Sequence, residues 1–179
     1  ISKITFTGNK FYKDKKLRSI IASEEYKFWK FISGKKFLNE QIIELDKRLL
    51  KNFYLNNGFY KAKINASFAK LVENNSFELI FNLQANKKYF FNNLSLKMSD
   101  DYSKDNFSKI YSLFEKFKGE PYSINTINKL VESINETAIS EQFESVSAFV
   151  TEKIIDDKID MIFEIKESEK FYVERINIF

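Results

Sequence analysis

Carboxylates are the one abundant class of side chain here that could carry acid–base or metal chemistry. There are 25 Asp and Glu among 179 residues, and neither a histidine nor a cysteine. The missing His and Cys remove the commonest general base, the commonest zinc ligands, thiolate sites and disulfides together. Glu24-Glu25 and Asp156-Asp157 form adjacent acidic pairs, but both fall in stretches that read as loops. A general acid or base needs a pocket that shifts its pKa, and no motif frames either pair, so both read as solvated turn residues. Asp100, Asp101 and Asp105 have the oxygen-donor character of a calcium loop without its glycine or closing glutamate. No glycine-rich phosphate loop and no serine elbow is present. The sequence therefore predicts no catalytic residue, no metal and no cofactor, and its chemistry is expected to be that of binding.

Two features bear on what is bound. Trp29, the only tryptophan, sits in Phe28-Trp29-Lys30-Phe31. Tryptophan is enriched at interface hot spots, so Trp29 is a candidate partner anchor; packing beneath its own loop is the other reading. The net charge of +4 hides an asymmetry: residues 1–88 carry 18 Lys and Arg against 8 Asp and Glu, a net +10, whereas residues 89–171 carry 10 against 16, a net −6. Such a dipole can steer partners or be solvated surface drift. A basic half raises nucleic-acid binding as a reading. Arginine occurs only as Arg18, Arg48 and Arg175, and nucleic-acid readers lean on arginine forks, so no nucleic-acid partner is expected.

The elements that must position these residues repeat. Leu79–Leu83 matches Met161–Ile165, Lys88–Phe91 matches Lys170–Val173, and Leu94–Leu96 matches Ile176–Ile178, all at one offset without a gap. A further copy of the last piece opens the chain at Ile1–Phe6. The repeat is about 80–90 residues long, the size of a small domain. In the first copy Ile4 and Phe6 alternate with Thr5 and Thr7, a half-buried strand. Asp14 is placed to cap a short helix carrying Leu17, Ile20 and Ile21. A longer helix is predicted from about Asn39 to Asn56. Its apolar stripe is Ile42, Leu45, Leu49 and Phe53, widened by Ile43 and Leu50, and Asn57-Gly58 stops it. Ala62, Ile64, Ala66 and Phe68 then alternate with polar residues, Glu73–Ser76 turns the chain, and Phe77, Leu79, Phe81 and Leu83 return it. The second copy runs in the same order. Phe91, Leu94 and Leu96 are its first strand; Phe107, Ile110, Tyr111 and Phe114 its first helical stripe; Ile124, Ile127, Val131, Ile134 and Ala138 its second. Val146, Ala148 and Val150 lead through Asp156–Lys158 to Ile159, Met161, Phe163 and Ile165. The order is β-α-α-β-β, twice, an α+β chain with two helices covering the apolar face of each three-stranded sheet.

The opening Ile1, Ile4, Phe6, Gly8 and Asn9, the helix end running Leu50–Gly58 into Phe59–Ala62, and the closing Lys170–Ile178 resemble POTRA domains along the whole chain. The first copy matches in more detail than the second, where Met98-Ser99 stands for Gly-Asn and Ser140-Glu141 for the helix-ending glycine. The resemblance implies two tandem POTRA βααββ modules at 1–88 and 89–171, each a mixed sheet under two antiparallel helices, with 172–179 starting a further module. It implies the periplasmic portion of a Gram-negative outer-membrane protein, a scaffold for assembling membrane β-barrels and not an enzyme. Its partners would be unfolded outer-membrane proteins, accessory lipoproteins, adjoining modules and a C-terminal membrane barrel. Secretion and import channels carry the same modules, and the sequence does not separate them.

The resemblance also implies that the second strand of each sheet is an edge and the third is central. The expected peptide-binding residues are then Tyr60, Lys61, Lys63, Ile64, Ala66 and Phe68 in the first module, with Val146, Ala148 and Val150 in the second. An edge pairs with an extended peptide through main-chain bonds that demand little of the partner's sequence. Lys61, Lys63 and Lys70 would give the first edge a positive rim, which serves equally as a guard against aggregation.

Overall fold

A computed structural model describes residues 1, 3–25, 40–71, 76–100, 102–141 and 146–167. The Phe28–Phe31 segment with Trp29, the Glu73–Asn75 turn and the strand expected at 172–179 lie outside the described residues. The chain divides into two compact units, Ile1–Tyr89 with Tyr122–Ile124, and Phe90–Pro121 with Asn125–Phe179.

The first unit runs β1 (Lys3–Asn9), α1 (Asp14–Arg18), α2 (Glu40–Leu55), β2 (Lys63–Leu71) and β3 (Ser76–Gln84). Its sheet has the order β1-β3-β2, with β1 parallel and β2 antiparallel to the central β3. Period-two alternation sends Ile4, Phe6, Ile64, Leu79, Phe81 and Leu83 to one face, where Leu17, Ile43, Leu50 and Tyr54 cover them. Full burial of each large side chain contributes about 1.5–3 kcal/mol, and this dense aliphatic and aromatic core is what lets so small a sheet close. Polar pairs line the opposite face: Thr5 donates to Glu78, and Asn82 Nδ2 donates to Thr7 Oγ1 at 3.2 Å.

Two helix expectations need correction. Lys13, in extended conformation, precedes α1 as its cap residue without a side-chain bond, and Asp14 is the first helical residue. The helix ends at Arg18, so Ile20 and Ile21 pack on the core from beyond it. On α2 the buried arc is Ile43, Asp46, Leu50 and Tyr54, while Ile42 and Leu45 are exposed. The stripe read from hydropathy is displaced because Asp46, fully buried, lies at its centre. Its carboxylate accepts the backbone N–H groups of Ala22 (2.6 Å) and Ser23 (3.3 Å), which tethers the segment after α1 to the second helix. Asp46→Ala leaves two backbone donors without that acceptor. With hydrogen bonds to charged groups contributing about 1.5–3 kcal/mol, we expect a loss of about 2 kcal/mol in urea unfolding.

The α2 stop behaves as its Asn57-Gly58 signal predicts. Gly58 takes φ +91°. The Phe59 N–H donates to the Tyr54 carbonyl at 3.0 Å and the Gly58 N–H to that of Leu55 at 3.4 Å, a Schellman closure. This turn gathers Tyr12, Phe53, Tyr54 and Phe59 edge-on, with centroids 4.8–6.1 Å apart. The Tyr54 hydroxyl is buried with no hydrogen-bond partner among the described residues. Burial, and secondarily Tyr12, push its pKa up to about 12. The folded state therefore holds this proton more tightly than the unfolded chain does. Stability is therefore flat with respect to this group below pH ~10 and falls as pH rises towards ~12, by about 2–3 kcal/mol. Tyr54→Phe should remove most of that alkaline loss and cost little at pH 7; urea midpoints across pH 8–12 would show it.

The second unit runs β4 (Phe90–Lys97), α3 (Ser108–Phe117, entered through a 3-10 turn at Lys104–Phe107), α4 (Ile124–Ser140), β5 (Val146–Ile155) and β6 (Lys158–Glu167). The sheet order is β4-β6-β5, again with the first strand parallel and the second antiparallel to the central one. Ile159, Met161, Phe163 and Ile165 of β6 are buried together with Phe107, Ile110, Phe114, Ile127, Leu130, Ile134 and Ala138. A bulge interrupts β4 between Phe91 and Leu94. Asp160 fills it, accepting from Asn92 Nδ2 at 2.7 Å and from the Asn93 N–H at 3.1 Å. The β5–β6 turn is Asp156-Asp157, with Asp156 at φ +57°, a conformation that Asp tolerates. Among the described residues no helix is long and apolar enough to cross a membrane, which leaves strand-built membrane proteins untouched.

Candidate strand-addition edges

Among the described residues both second strands lie at the edge of their sheets: β2 pairs only with β3, and β5 only with β6. Among the described residues no group of three or more potential ligands could hold a metal ion.

Along β2, Ile64 is buried against the helices and Ala66 half-buried. Phe68, 39% exposed, marks where the helical cover gives out. Lys63, Asn65 and Ser67 are exposed on the other face. Tyr60 and Lys61, expected in this strand, precede it in the turn after α2. The Schellman closure consumes those residues before the chain can extend. The Tyr60 ring packs edge-on against Tyr122, centroids 4.9 Å apart, and tilted against Tyr89 at 5.6 Å, all within the first unit. Lys61 Nζ lies over the Tyr89 ring at 5.6 Å. Of the expected lysine rim, Lys63 stands on the strand and Lys61 just before it; the Lys70 side chain is outside the described ones.

Along β5, Val146, Ala148 and Val150 are half-buried, and Phe149 is 54% exposed on the opposite face. Directly opposed residues of an antiparallel pair alternate between exchanging both main-chain bonds and pointing both groups away. The Phe90 N–H takes the Asp157 carbonyl at 2.9 Å from the β4 side. Odd-numbered residues of β6 therefore face β4, and even-numbered ones face the odd-numbered residues opposite them on β5. Val146, Ala148 and Val150 are left pointing outward. The Ala148 N–H agrees: it leaves the sheet and donates to Asn135 Oδ1 of α4 at 2.9 Å. Ala148 sits opposite Ile165 and Ile64 opposite Leu83, which are equivalent positions of the repeat. The same phase turns the N–H groups of Ile64, Ala66 and Phe68 outward. Asn135 had no signal in the sequence, because nothing in helical periodicity says that a polar residue will reach across to a strand.

Residues 1–86 match the family model described as POTRA, surface antigen variable number repeat. The first unit has the POTRA architecture. The match ends before β4, and the second unit shares the POTRA architecture by its topology. No curated protein matches the chain by sequence. Among solved structures, the chain is similar to Haemophilus influenzae BamA POTRA3-5, at 14% identity and a TM-score of 0.72, covering 94% of this chain and 66% of that one. It is similar to Haemophilus ducreyi BamA lacking POTRA domains 1-3, at 17% identity and a TM-score of 0.63, covering 94% and 29%. It is also similar to POTRA1-2 of the periplasmic domain of Omp85 from Anabaena, at 8% identity and a TM-score of 0.56, covering 94% and 96%. At these identities the likeness is one of POTRA fold. The chain spans less than two thirds of either BamA structure.

Proposed function

We propose that this chain is a periplasmic scaffold segment of an outer-membrane β-barrel assembly protein. It holds unfolded outer-membrane proteins, and accessory lipoproteins, by adding their extended segments to the outer strands of its sheets, and it performs no catalysis. The observation that carries this reading is β2: nine residues in regular register with β3 on one side and, among the described residues, no strand on the other. Such an edge offers main-chain affinity without sequence demand, which suits a receptor for many different barrel strands. The POTRA match over 1–86 and the likeness to BamA and Omp85 segments supply the setting.

Ala66→Pro tests it. Proline removes an outward N–H and is tolerated at a sheet edge whose N–H faces solvent. The variant should fold, keep the β2–β3 ladder, and lose photo-crosslinking between a probe at Lys63 and a nascent barrel peptide. Undiminished crosslinking in a folded variant would sink strand addition at β2.

A further inference from the structure

The two outer strands are not equivalent. On β5 the outward N–H of Ala148 already has a carbonyl-type acceptor, Asn135 Oδ1 at 2.9 Å. An added strand lies about 4.8 Å away in the hydrogen-bonding direction and presents its carbonyl oxygens at this same N···O distance. Asn135 therefore occupies, with the right atom at the right distance, the place that an incoming main-chain carbonyl would take. Its side chain also lies in the path of the incoming backbone. Asn135 is held by α4, which is anchored through buried Ile127, Leu130, Ile134 and Ala138, so it is not a loose side chain that drifts aside. No corresponding side-chain acceptor reaches the outward N–H groups of Ile64, Ala66 or Phe68 among the described residues of β2.

We infer that Asn135 is a built-in guard of the β5 edge, and that strand addition is directed to β2 of the first unit, which takes extended peptide carrying acidic side chains. The inference rests on the reading of these sheets as strand receptors and adds the choice between them. Charge supports the assignment. Lys63 is exposed on β2 and Lys61 stands just before it. The α4 surface around Asn135 is instead lined by Glu132 and Glu136, with Asn128, Val131 and Ile139. An acidic peptide is drawn to the first edge and, at the Val146–Val150 stretch beside α4, meets the carboxylates of Glu132 and Glu136.

The guard is tested first without any peptide, by amide hydrogen exchange on the whole chain. In Asn135→Ala the Ala148 amide should exchange at least tenfold faster, while the amides of Phe149 and Thr151, which face β6, stay as they were. Unchanged protection of Ala148 in the variant overturns the guard whatever the strands bind. The second arm titrates a peptide as long as β2, alternating glutamate with valine, and follows backbone amide shifts. In the parent chain Ile64, Ala66 and Phe68 should shift while Val146, Ala148 and Val150 do not. Removing a competing hydrogen bond of ordinary strength should raise affinity at β5 about fivefold in Asn135→Ala, read with a lysine–valine peptide that the acidic α4 surface does not repel. Equal shifts at both edges of the parent chain would overturn the selectivity. No shift at either edge with either peptide, Ala148 still deprotected in Asn135→Ala, would leave the guard standing and remove the strand-receptor reading instead.

Discussion

Gly8→Ala is expected to destabilise the first unit by about 2–4 kcal/mol. Two effects act together. Gly8 has φ +82°, a conformation in which a Cβ is strained, and that Cβ would be driven into the Leu83 carbonyl oxygen. The obstacle cannot swing away, because Leu83 sits in the central strand directly opposite Gly8 and is fully buried. Gly119 separates the two effects. It has nearly the same φ, +83°, but nothing within 4 Å of a Cβ built on it. Gly119→Ala should therefore show the conformational cost alone, about 1–2 kcal/mol. Urea unfolding of both variants checks the pair. Equal losses would mean that the approach to Leu83 contributes nothing.

Phe81→Ala and Phe163→Ala should each cost about 3–5 kcal/mol in their own unit. They hold equivalent places at the middle of the two central strands, and both are fully buried. Phe81 stacks on Phe6 of β1 at 5.7 Å. Phe163 stacks on Phe114 of α3 at 5.2 Å. A central-strand side chain on the covered face touches neighbouring strand and helix at once, so the cavity it leaves has little freedom to collapse. Amide exchange resolved by residue is the suitable readout. Protection of β3 should fall in Phe81→Ala and that of β6 in Phe163→Ala. Losses below 1 kcal/mol would show that these cores repack around the gap.

The strands were legible in the sequence because their side-chain period is two and one face is uniformly apolar: Leu79, Phe81 and Leu83 in one sheet, Met161, Phe163 and Ile165 in the other. The order of strands was not legible from periodicity; it came from the POTRA resemblance. Helix α2 shows where hydropathy misleads. With apolar residues at 42, 43, 45, 49, 50 and 53 the stripe is wide enough to be centred in more than one way. Only a contact remote in sequence, Asp46 with the backbone of Ala22 and Ser23, decides the centre. The candidate edges divide in the same manner. Ile64, Ala66 and Phe68 followed from alternation, whereas Tyr60 and Lys61 were assigned to a strand that the Gly58 turn delays to Lys63. Asn135 was invisible because its role is a tertiary hydrogen bond.

In each sheet the central strand is the last described strand of its unit to be made, and the first strand is laid parallel against it, Ile4 beside Leu79 and Leu94 beside Met161. This orders events in time. A chain delivered N-terminus first holds a β1 with no partner until nearly the whole unit has emerged, and loop closure over that span is slow compared with forming the β2–β3 hairpin. The hairpin comes first and the opening strand is sealed last. Until then Ile4 and Phe6 stay open to solvent, and β3 is an edge rather than a centre. A unit cut short by a few C-terminal residues is therefore not slightly shortened but left unclosed.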